Sequence, residues 1–337
     1  MKSAGTLAVV GATGQVGAVM RHILLERQLA FDRLRFFASP RSAGTFLEFD
    51  GHQLEVEDVE TADLAGIDYA LFSIGATASK IYAPRFADAG AIVIDNSSAY
   101  RMHPDVPLVV PEVNPGDAAH RALGIIANPN CTTMIAMSPL AIIDRLFGLN
   151  RVVAATYQAA SGAGRAGVAE LSAQLERPNL DALTFDGGAV DFAPPVKFPA
   201  VLAGNVIPLA GELHDGDTSE EEKFVNESRK ILGLPDLRVH ATCVRVPVFT
   251  GHSIAIVAEC QTPPEVGRLV AELDRHKGCQ VVDLPTPMAS TGIDPVLVGR
   301  IRLDRSSTNG VAFFVSGDNL RKGAALNAIQ ILEMLLQ

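Results

Sequence analysis

The first 95 residues alternate between short apolar runs and stretches with a helical pattern. Residues 6–10 (TLAVV) are continuously apolar, which predicts a buried strand, and apolar residues then recur at 19, 20, 23 and 24, the spacing of one helix face. The same criteria predict strands at 34–38, 69–73 and 91–94, and a helix over 79–89. Strands that alternate with helices in this way are typical of a doubly wound α/β domain with a parallel sheet.

Beyond residue 130 the pattern changes to longer strands with fewer helices between them. A helix is predicted from Cys131 to about Phe147, and another from about residue 264. The predicted strands lie near 152–159, 238–247 and 253–261. This pattern predicts an α+β domain with an open sheet. Two polar stretches, 178–195 and 214–220, are predicted as surface loops or an interface arm.

These patterns divide the chain into three segments. We predict an α/β domain over residues 1–130, an α+β domain over 131–318, and a C-terminal helix over 319–337 that packs on the first domain. The apolar stripe of that helix consists of Leu326, Ile329, Ile331, Leu332 and Leu335. The length of 337 residues is that expected for about two domains.

Composition narrows the class of protein. Hydrophobic residues make up 48% and charged residues 20%, and no run of 18 apolar residues occurs, so we expect a soluble globular protein. The segment Met1–Gly5 carries no signal-peptide pattern, which predicts a cytoplasmic location. The net charge of −10 argues against a nucleic-acid partner. The four cysteines show no C-x-x-C spacing, so neither a metal site nor, in a reducing compartment, disulfides are expected.

A glycine-rich turn, GATGQVG, follows the first predicted strand and precedes a predicted helix. Its glycines allow a tight turn and a close approach of backbone N–H groups to a pyrophosphate, which the helix dipole also attracts. The spacing is G-x-x-G-x-x-G instead of the usual G-x-G-x-x-G, and a purely structural turn is the alternative. The predicted dinucleotide-binding residues are Gly11, Thr13, Gly14, Gln15, Val16 and Gly17.

The end of the second predicted strand indicates which dinucleotide is bound. An NAD site usually has an acidic residue there, about 20 residues after the glycines, to hold the ribose 2′-hydroxyl. This chain instead has hydroxyls and a guanidinium, which suit a 2′-phosphate and favour NADP. The residues concerned are Ser39, Arg41 and Ser42. The alternative is a solvated arginine in a loop that also accepts NAD.

Cys131 lies between NPN (128–130) and a run that predicts a helix. A thiol at a helix N-terminus faces the positive end of the dipole and backbone N–H groups, which favour the thiolate and offer an oxyanion site. Most cysteines outside disulfides instead pack as small hydrophobic residues. That alternative suits Cys243 and Cys260, which lie among apolar strand residues, and Cys279 is assigned no role.

A thiolate mechanism needs a group that transfers protons. His252 is the best candidate among the eight histidines, because it precedes a predicted strand in the segment RVPVFTGHS, which starts at Arg245. An isolated histidine is more often a packed structural residue, and the residues themselves leave both roles open.

Nine segments, taken together, resemble the aspartate-β-semialdehyde dehydrogenase family over essentially the full length of the chain. They are GATGQVG (11–17), ASPRSAG (38–44), DNSSAYRM (95–102), VVPEVN (109–114), NPNCTT (128–133), YQAASGAGRAG (157–167), EEEK (220–223), RVPVFTGHS (245–253) and GDNLRKGAALNA (317–328). The resemblance implies a Rossmann-like NADP-binding domain and a catalytic and dimerisation domain of the glyceraldehyde-3-phosphate dehydrogenase-like type.

The resemblance also implies the reaction. Members of the family use NADPH to convert L-aspartyl-4-phosphate to L-aspartate-4-semialdehyde and phosphate, in the biosynthesis of lysine, threonine and methionine, and they form homodimers. Cys131 matches the nucleophile, which forms a thioester, His252 the acid/base histidine and Gln158 its partner near the thiol. Arg245 matches the group that binds the substrate α-carboxylate. Glu220 matches the amino-group ligand, because the family spaces this glutamate three residues before its lysine.

Two further sets of residues are carried over from the family. The phosphate-binding residues are Arg101, Asn130 and Lys223. The residues near the nicotinamide are Ser161, Gly162 and Asn319.

Two other functions remain open on the sequence. N-acetyl-glutamyl-phosphate reductase performs the same chemistry on a longer substrate, but it typically has a glycine before the cysteine and lacks the segment from Arg245 to His252. A paralogue that binds NADPH without turnover is expected to have lost the nucleophile, yet Cys131 is present.

Overall fold

A computed structural model describes residues 5–337, which form two compact units. The first unit comprises the chain up to Met137 together with Glu227–Pro235 and Arg321–Gln337, and the second comprises Ser138–Asn226 and Asp236–Leu320. The units therefore differ from the predicted boundaries, because residues 131–137 and 227–235 belong with the first unit. Residues 1–4, which open the predicted first domain and bear on the expected location, lie outside the described residues.

The first unit contains a seven-stranded sheet. Its strands are β1 (Thr6–Val10), β2 (Arg33–Ala38), β3 (Phe46–Phe49), β4 (His52–Asp58), β5 (Tyr69–Phe72), β6 (Ile92–Asp95) and β7 (Ile125–Ala127), and its helices before residue 138 are α1 (Gln15–Glu26), α2 (Ala76–Asp88) and the start of α3 (Cys131–Phe147). The strand order is β3-β4-β2-β1-β5-β6-β7, and all pairs are parallel except β3 with β4. The order changes direction at β1, the point where doubly wound sheets bind dinucleotides.

The second unit contains a six-stranded mixed sheet. The strands of this unit are β8 (Leu149–Gln158), β9 (Leu213–His214), β10 (Asp217–Thr218), β11 (Arg238–Arg245), β12 (His252–Cys260), β13 (Cys279–Val281), β14 (Val296–Leu303) and β15 (Gly310–Gly317). The helices of this unit are α4 (Gly164–Leu175), α5 (Ser219–Leu232, up to Asn226 in this unit), α6 (Val266–Arg275) and α7 (Pro287–Ser290). The sheet order is β11-β8-β12-β15-β14-β13, while β9 and β10 form a separate hairpin. Alternate residues of β8 are buried, which places Gln158 on the same face as Ala154 and Thr156.

The C-terminal segment returns to the core of the first unit. It begins with a π-helical stretch, Arg321–Leu326, and continues as α8 (Asn327–Leu335). Its buried apolar residues pack in one cluster with those of α1 and β1, among them Met20, Ile23 and Val9. This burial supplies the hydrophobic driving force that holds the segment on the first unit.

The predicted fold class, a doubly wound α/β domain with an α+β domain, is confirmed by these two sheets. The hairpin of β3 and β4 escaped prediction because it is the exposed edge of its sheet, where β3 lacks fully buried residues. The stretch 214–220 was predicted as loop or arm, but Asp217–Thr218 is a short strand and α5 begins at Ser219. No helix among the described residues is long and apolar enough to cross a membrane.

Candidate active site

The glycine turn joins β1 to α1 in the first unit. Gly11 has a φ of +89°, a conformation that glycine adopts without steric cost, and its N–H donates to the carbonyl oxygen of Phe37 at 2.8 Å. A Cβ at Gly17 would overlap the carbonyl oxygen of Gly11, so any side chain there would push α1 away from the turn. Gln15, at the start of α1, has a buried amide oxygen with no hydrogen-bond partner among the described residues. The turn therefore combines the N–H groups of a helix N-terminus with one unsatisfied acceptor, the amide oxygen of Gln15.

The loop after β2 lies beside this turn, because β2 and β1 are parallel neighbours and end at the same edge of the sheet. Ser42 donates its N–H to the carbonyl oxygen of Ser39 at 2.9 Å, which closes a tight turn. The side chain of Arg41 is exposed on this turn. Its guanidinium is therefore accessible to an anionic group at the edge of the sheet.

The third loop at this edge follows β5. A Cβ at Gly11 would overlap the carbonyl oxygen of Ser73, so the glycine turn and this loop are in close contact. Gly75, with a φ of +80°, precedes α2. Neither Ser73 nor Gly75 was among the predicted cofactor residues, because the segment lacks the paired glycines expected of such a loop.

Cys131 is the first residue of α3, as the sequence predicted, and residues 128–130 connect this helix to the short strand β7. The side-chain oxygen of Asn130 accepts hydrogen bonds from the N–H groups of Thr132 at 2.9 Å and Thr133 at 3.3 Å, which makes Asn130 the N-cap of the helix. These two N–H groups are therefore bound by the N-cap side chain and do not serve as oxyanion donors. Cys131 itself is partly exposed.

The other three cysteines are buried, and none of the four, all of which are described, is joined in a disulfide. Burial raises the pKa of Cys243 to about 12 and that of Cys260 to about 11. Both therefore remain protonated thiols at neutral pH. Cys131 is the cysteine whose position suits reaction with a substrate.

Arg101 and Asn130 share a partner in the first unit that was not predicted from the sequence. Glu227, in α5, accepts the N–H of Asn130 at 2.6 Å and forms an ion pair with Arg101 at 3.1 Å. Arg101 also donates to the carbonyl oxygens of Asn128 at 2.9 Å and Asn96 at 2.6 Å. All three guanidinium nitrogens of Arg101 thus bind protein atoms around the segment that precedes Cys131.

A π-helical residue lies against Cys131. A Cβ built on Gly323 would be 2.8 Å from the Cβ and 3.2 Å from the Cα of Cys131. Real Cβ atoms do not approach this closely, so only glycine fits at position 323. Gly323 belongs to the segment GDNLRKGAALNA, which carries part of the family resemblance. Its contact with Cys131 could not be predicted, because the two residues are far apart in the sequence.

In the second unit, Gln158, Glu220 and Lys223 form one hydrogen-bonded group. Gln158, the last residue of β8, donates its amide to Glu220 at 3.2 Å, and Lys223 donates to the other Glu220 oxygen at 2.8 Å. The neighbouring glutamates have other partners: Glu221 accepts the N–H of Cys243, while Glu222 lies near His214. Glu220 is therefore the glutamate of this run that faces Gln158. Glu220 and Lys223, predicted to bind different groups of the substrate, bind each other here.

Arg245 and His252 form a second group in the same unit. Arg245, the last residue of β11, donates to the carbonyl oxygen of Ala159 at 2.7 Å, and the Nδ1 of His252 accepts the N–H of Ala159 at 3.0 Å. A Cβ on Gly162 would lie 2.9 Å from Arg245 Nη1 and 3.1 Å from His252 Nε2, so a side chain at this position would crowd both nitrogens. The two side chains are thus held by one peptide segment.

The electrostatic environment keeps His252 neutral. Burial, followed by the positive charge of Arg245, lowers the pKa of His252 to about 3, against the opposite effect of Glu220. Since Nδ1 accepts a hydrogen bond, the neutral ring carries its proton on Nε2. His252 is therefore a donor at Nε2 in the resting protein.

Ser161 and Asn319 are buried next to this group. The Asn319 amide donates to Ser161 Oγ at 2.9 Å, and its oxygen accepts the N–H of Gly251 at 2.9 Å. Asn319 thus fixes the residue that precedes His252. No cluster of three or more metal-binding side chains occurs in the described part of the chain.

Comparison with known proteins finds relatives along the whole chain. The family model of the semialdehyde dehydrogenase NAD binding domain matches residues 6–121, and that of the semialdehyde dehydrogenase dimerisation domain matches residues 140–322. Aspartate-semialdehyde dehydrogenase of Mycolicibacterium smegmatis is 54% identical over 340 residues, with 98% of each chain covered. That of Corynebacterium glutamicum is 53% identical over 342 residues, covering 98% of this chain and 99% of its own.

Solved structures agree with this result. The crystal structure of aspartate semialdehyde dehydrogenase II of Vibrio cholerae complexed with ASA has a TM-score of 0.93 at 41% identity, covering 99% of this chain and 98% of that one. The structure of aspartate semialdehyde dehydrogenase with NADP from Candida albicans, at 24% identity and a TM-score of 0.76, covers 99% of this chain and 98% of its own and shares the fold.

Proposed function

The chain belongs to the aspartate-semialdehyde dehydrogenase family, and we propose that it catalyses the NADPH-dependent reductive dephosphorylation of L-aspartyl-4-phosphate to L-aspartate-4-semialdehyde and phosphate. The family predicted from nine sequence segments is thereby confirmed. The observation that carries the proposal is the partly exposed Cys131 at the first residue of a capped helix, while the other cysteines are buried. The reaction would serve the biosynthesis of lysine, threonine and methionine.

Cys131 begins the proposed reaction as a thiolate, which the start of α3 favours through its dipole. The sulfur attacks the acyl carbon of the substrate, and the bond from that carbon to the phosphate oxygen breaks. The products of this step are a thioester on Cys131 and free phosphate. A thioester is more readily reduced than a carboxylate, which is why covalent catalysis is useful here.

A bound nicotinamide would supply the hydride that reduces this thioester. This leaves an oxyanion on a carbon still bonded to sulfur, and we assign the Nε2–H of His252 as the donor that stabilises it. When the carbon–sulfur bond breaks, the aldehyde leaves and the thiolate of Cys131 returns. Because His252 is neutral in the resting protein, it can donate at Nε2 over the whole physiological pH range.

The other side chains bind the charged groups of the substrate. Arg245 is proposed to bind the α-carboxylate, because a guanidinium matches a carboxylate with two parallel hydrogen bonds. Glu220 is proposed to bind the amino group, and Gln158, bonded to it, to lie near the thiol. Lys223, which pairs with Glu220, is proposed for the phosphate.

Asn130 and Arg101 were also predicted to bind phosphate. Asn130 caps α3 and Arg101 holds the segment before Cys131, so any phosphate contact would use the remaining donors of these groups. We propose that Arg101 contributes mainly positive charge near the thiol.

We propose NADP as the cofactor. The glycine turn and the N–H groups at the α1 N-terminus would hold the pyrophosphate, whereas the buried amide oxygen of Gln15, which can only accept, would take a hydroxyl of the cofactor. Ser39, Arg41 and Ser42 would hold the 2′-phosphate, and Ser161, Gly162 and Asn319 would lie near the nicotinamide. We further propose a cytoplasmic homodimer, on the basis of the matched dimerisation domain and the sequence expectations.

The experiment that tests this function is phosphate-dependent reduction of NADP with L-aspartate-β-semialdehyde, followed at the nicotinamide absorbance. N-acetylglutamate semialdehyde is the competing substrate, and NAD the competing cofactor. We expect activity with aspartate semialdehyde and NADP. Activity with the acetylated substrate instead would assign the protein to N-acetyl-glutamyl-phosphate reduction, and inactivity with both in a protein that binds NADPH would indicate the non-catalytic paralogue.

A further inference from the structure

Glu227 is a buried acid that none of the catalytic steps above uses. It is 1% exposed and lies 97 positions along the chain from Asn130, whose N–H it binds at 2.6 Å. Its other oxygen forms the ion pair with Arg101 at 3.1 Å. An acid in such a position is costly to bury unless its charge and lone pairs are satisfied, and here a guanidinium and a backbone N–H do so.

The N–H that Glu227 holds belongs to the residue directly before Cys131. Asn130 is also the N-cap of α3, so the orientation of its peptide decides how its side chain meets the N–H groups of Thr132 and Thr133. Fixing this peptide therefore fixes the first turn of the helix and the direction of the Cys131 side chain.

A second contact limits Cys131 from another side. Gly323 lies so close that a Cβ there would be 2.8 Å from the Cβ of Cys131. The backbone of Cys131 cannot move toward the π-helical segment without a clash. Restraint at Asn130 and at Gly323 leaves little freedom in the position of the Cys131 backbone and Cβ, from which the sulfur projects.

We propose that Glu227 is the positioning residue of the nucleophile: by holding the N–H of Asn130, it sets the direction in which Cys131 projects from the start of α3. This inference rests on the proposed function of Cys131. Lys230, one turn further along α5, supports the same arrangement, because its ammonium binds the carbonyl oxygens of Arg101, His103 and Val106 at 2.8 to 2.9 Å. The end of α5 thus anchors both the arginine and the cysteine segment.

Two substitutions separate geometry from charge. Glu227→Gln keeps the length of the side chain but places an amide NH₂ against one of the two donors and removes the negative charge beside Arg101. Glu227→Asp keeps the charge but is one methylene too short to reach both partners. The matched control is Glu57→Gln, the same chemical change at another Arg–Glu ion pair of the first unit, formed with Arg35.

The variants differ in kcat and in the pH dependence of Cys131 alkylation. Both Glu227 variants lower kcat about 10- to 100-fold, because small displacements of a nucleophile cost this much, with KM for aspartate semialdehyde and phosphate within twofold of wild type. In Glu227→Gln the midpoint of the pH dependence of Cys131 alkylation by iodoacetamide moves to lower pH. The reason is that the positive charge of Arg101, no longer neutralised by a carboxylate, stabilises the thiolate. In Glu227→Asp this midpoint stays in place. Glu57→Gln changes neither kcat nor the midpoint.

The proposal is overturned if the Glu227 variants lose thermal stability while kcat stays within twofold of wild type. It is also overturned if kcat of Glu227→Gln falls but the alkylation midpoint does not move, which would indicate loss of structure and no effect on the thiol. If Glu227→Gln does not fold, Glu227→Asp decides by its kcat. Alkylation does not depend on turnover, so an inactive wild-type protein would refute the proposed function and still leave this test available.

Discussion

At the scale of single residues, Cys131 differs from the other three cysteines because it is partly exposed and begins a helix. Cys243 and Cys260 are packed in the second unit, and burial holds their pKa values at about 12 and about 11. Cys131 is partly exposed at a helix start, where the dipole favours a thiolate. Sequence position alone predicted this difference, because NPN before the cysteine and a helical pattern after it define a helix start.

The restraint on Cys131 by Gly323 leads to a prediction. In Gly323→Ala the new Cβ collides with Cys131, so either the π-helical segment or Cys131 must move. We expect kcat to fall by about tenfold or more, since the position of the sulfur changes. The measurements are kcat and the rate of Cys131 alkylation.

The control for this prediction is Gly267→Ala in α6, where a Cβ meets no atom within 4 Å. Alanine at that exposed helical position should raise the free energy of unfolding by about 0.5–1 kcal/mol and leave kcat unchanged. Normal kcat in Gly323→Ala would show that the contact does not constrain the cysteine.

Other residues could not have been found from the sequence. Glu227 lies on a helix pattern among several charged residues, and nothing in that pattern indicates a bond to Asn130, 97 positions away. The contact of Gly323 with Cys131 depends on the C-terminal segment packing in the first unit. Contacts of this kind are determined by tertiary packing, and the local pattern of hydrophobic residues carries no information about them.

At the scale of elements, the loops at the carboxyl ends of β1 and β2 carry the residues proposed for the pyrophosphate and the 2′-phosphate of the cofactor. The sequence predicted β1, β2 and β5 and the glycine turn, because each has an apolar run with a distinct end. It did not predict β3 and β4, since an exposed edge hairpin has no continuous apolar pattern. It also assigned residues 214–220 to a loop or arm although α5 begins at Ser219, because the first turn of this helix consists of polar residues.

The loop after β2 gives a prediction about the cofactor. Arg41→Ala should raise KM for NADP at least tenfold, because the 2′-phosphate loses its charged contact with the guanidinium. KM for NAD should change by less than about twofold, because NAD has no 2′-phosphate. The measurement is initial rate against cofactor concentration with both dinucleotides. Arg33→Ala, at the opposite end of β2 and also exposed, is the control and should change neither value. Equal changes for NADP and NAD would remove Arg41 from the 2′-phosphate site.

At the scale of the whole molecule, each unit carries part of the proposed chemistry. The cofactor residues around the glycine turn, together with Cys131, belong to the first unit, whereas Gln158, Arg245 and His252 belong to the second. The sequence predicted two domains of these classes, but it could not predict that residues 227–235 rejoin the first unit, since the helix α5 is continuous there.

The burial of His252 makes stability depend on pH. The pKa of His252 is lowered to about 3 in the folded protein, while an unfolded histidine titrates near 6.5, so between these values only the unfolded chain binds the proton. The free energy of unfolding therefore falls as the pH falls below about 6.5, by about 1.4 kcal/mol per pH unit from this residue.

His252→Gln should remove this contribution. We expect the difference in unfolding free energy between wild type and variant to be constant above about pH 7 and to shrink as the pH is lowered to about 5. Urea unfolding at several pH values measures it. A difference that does not change with pH would show that His252 is not held neutral.

The central claim is that Cys131 forms a covalent thioester during turnover. The most direct test is to mix the protein with L-aspartate-β-semialdehyde and NADP in the absence of phosphate, quench rapidly, and map the modified peptide by mass spectrometry. We expect one equivalent of NADPH per chain in a burst, and one aspartyl group on the peptide that contains Cys131; the Cys131→Ala variant, which should still bind NADP, shows neither. An aspartyl group on another residue, or a burst that survives in Cys131→Ala, would contradict the account.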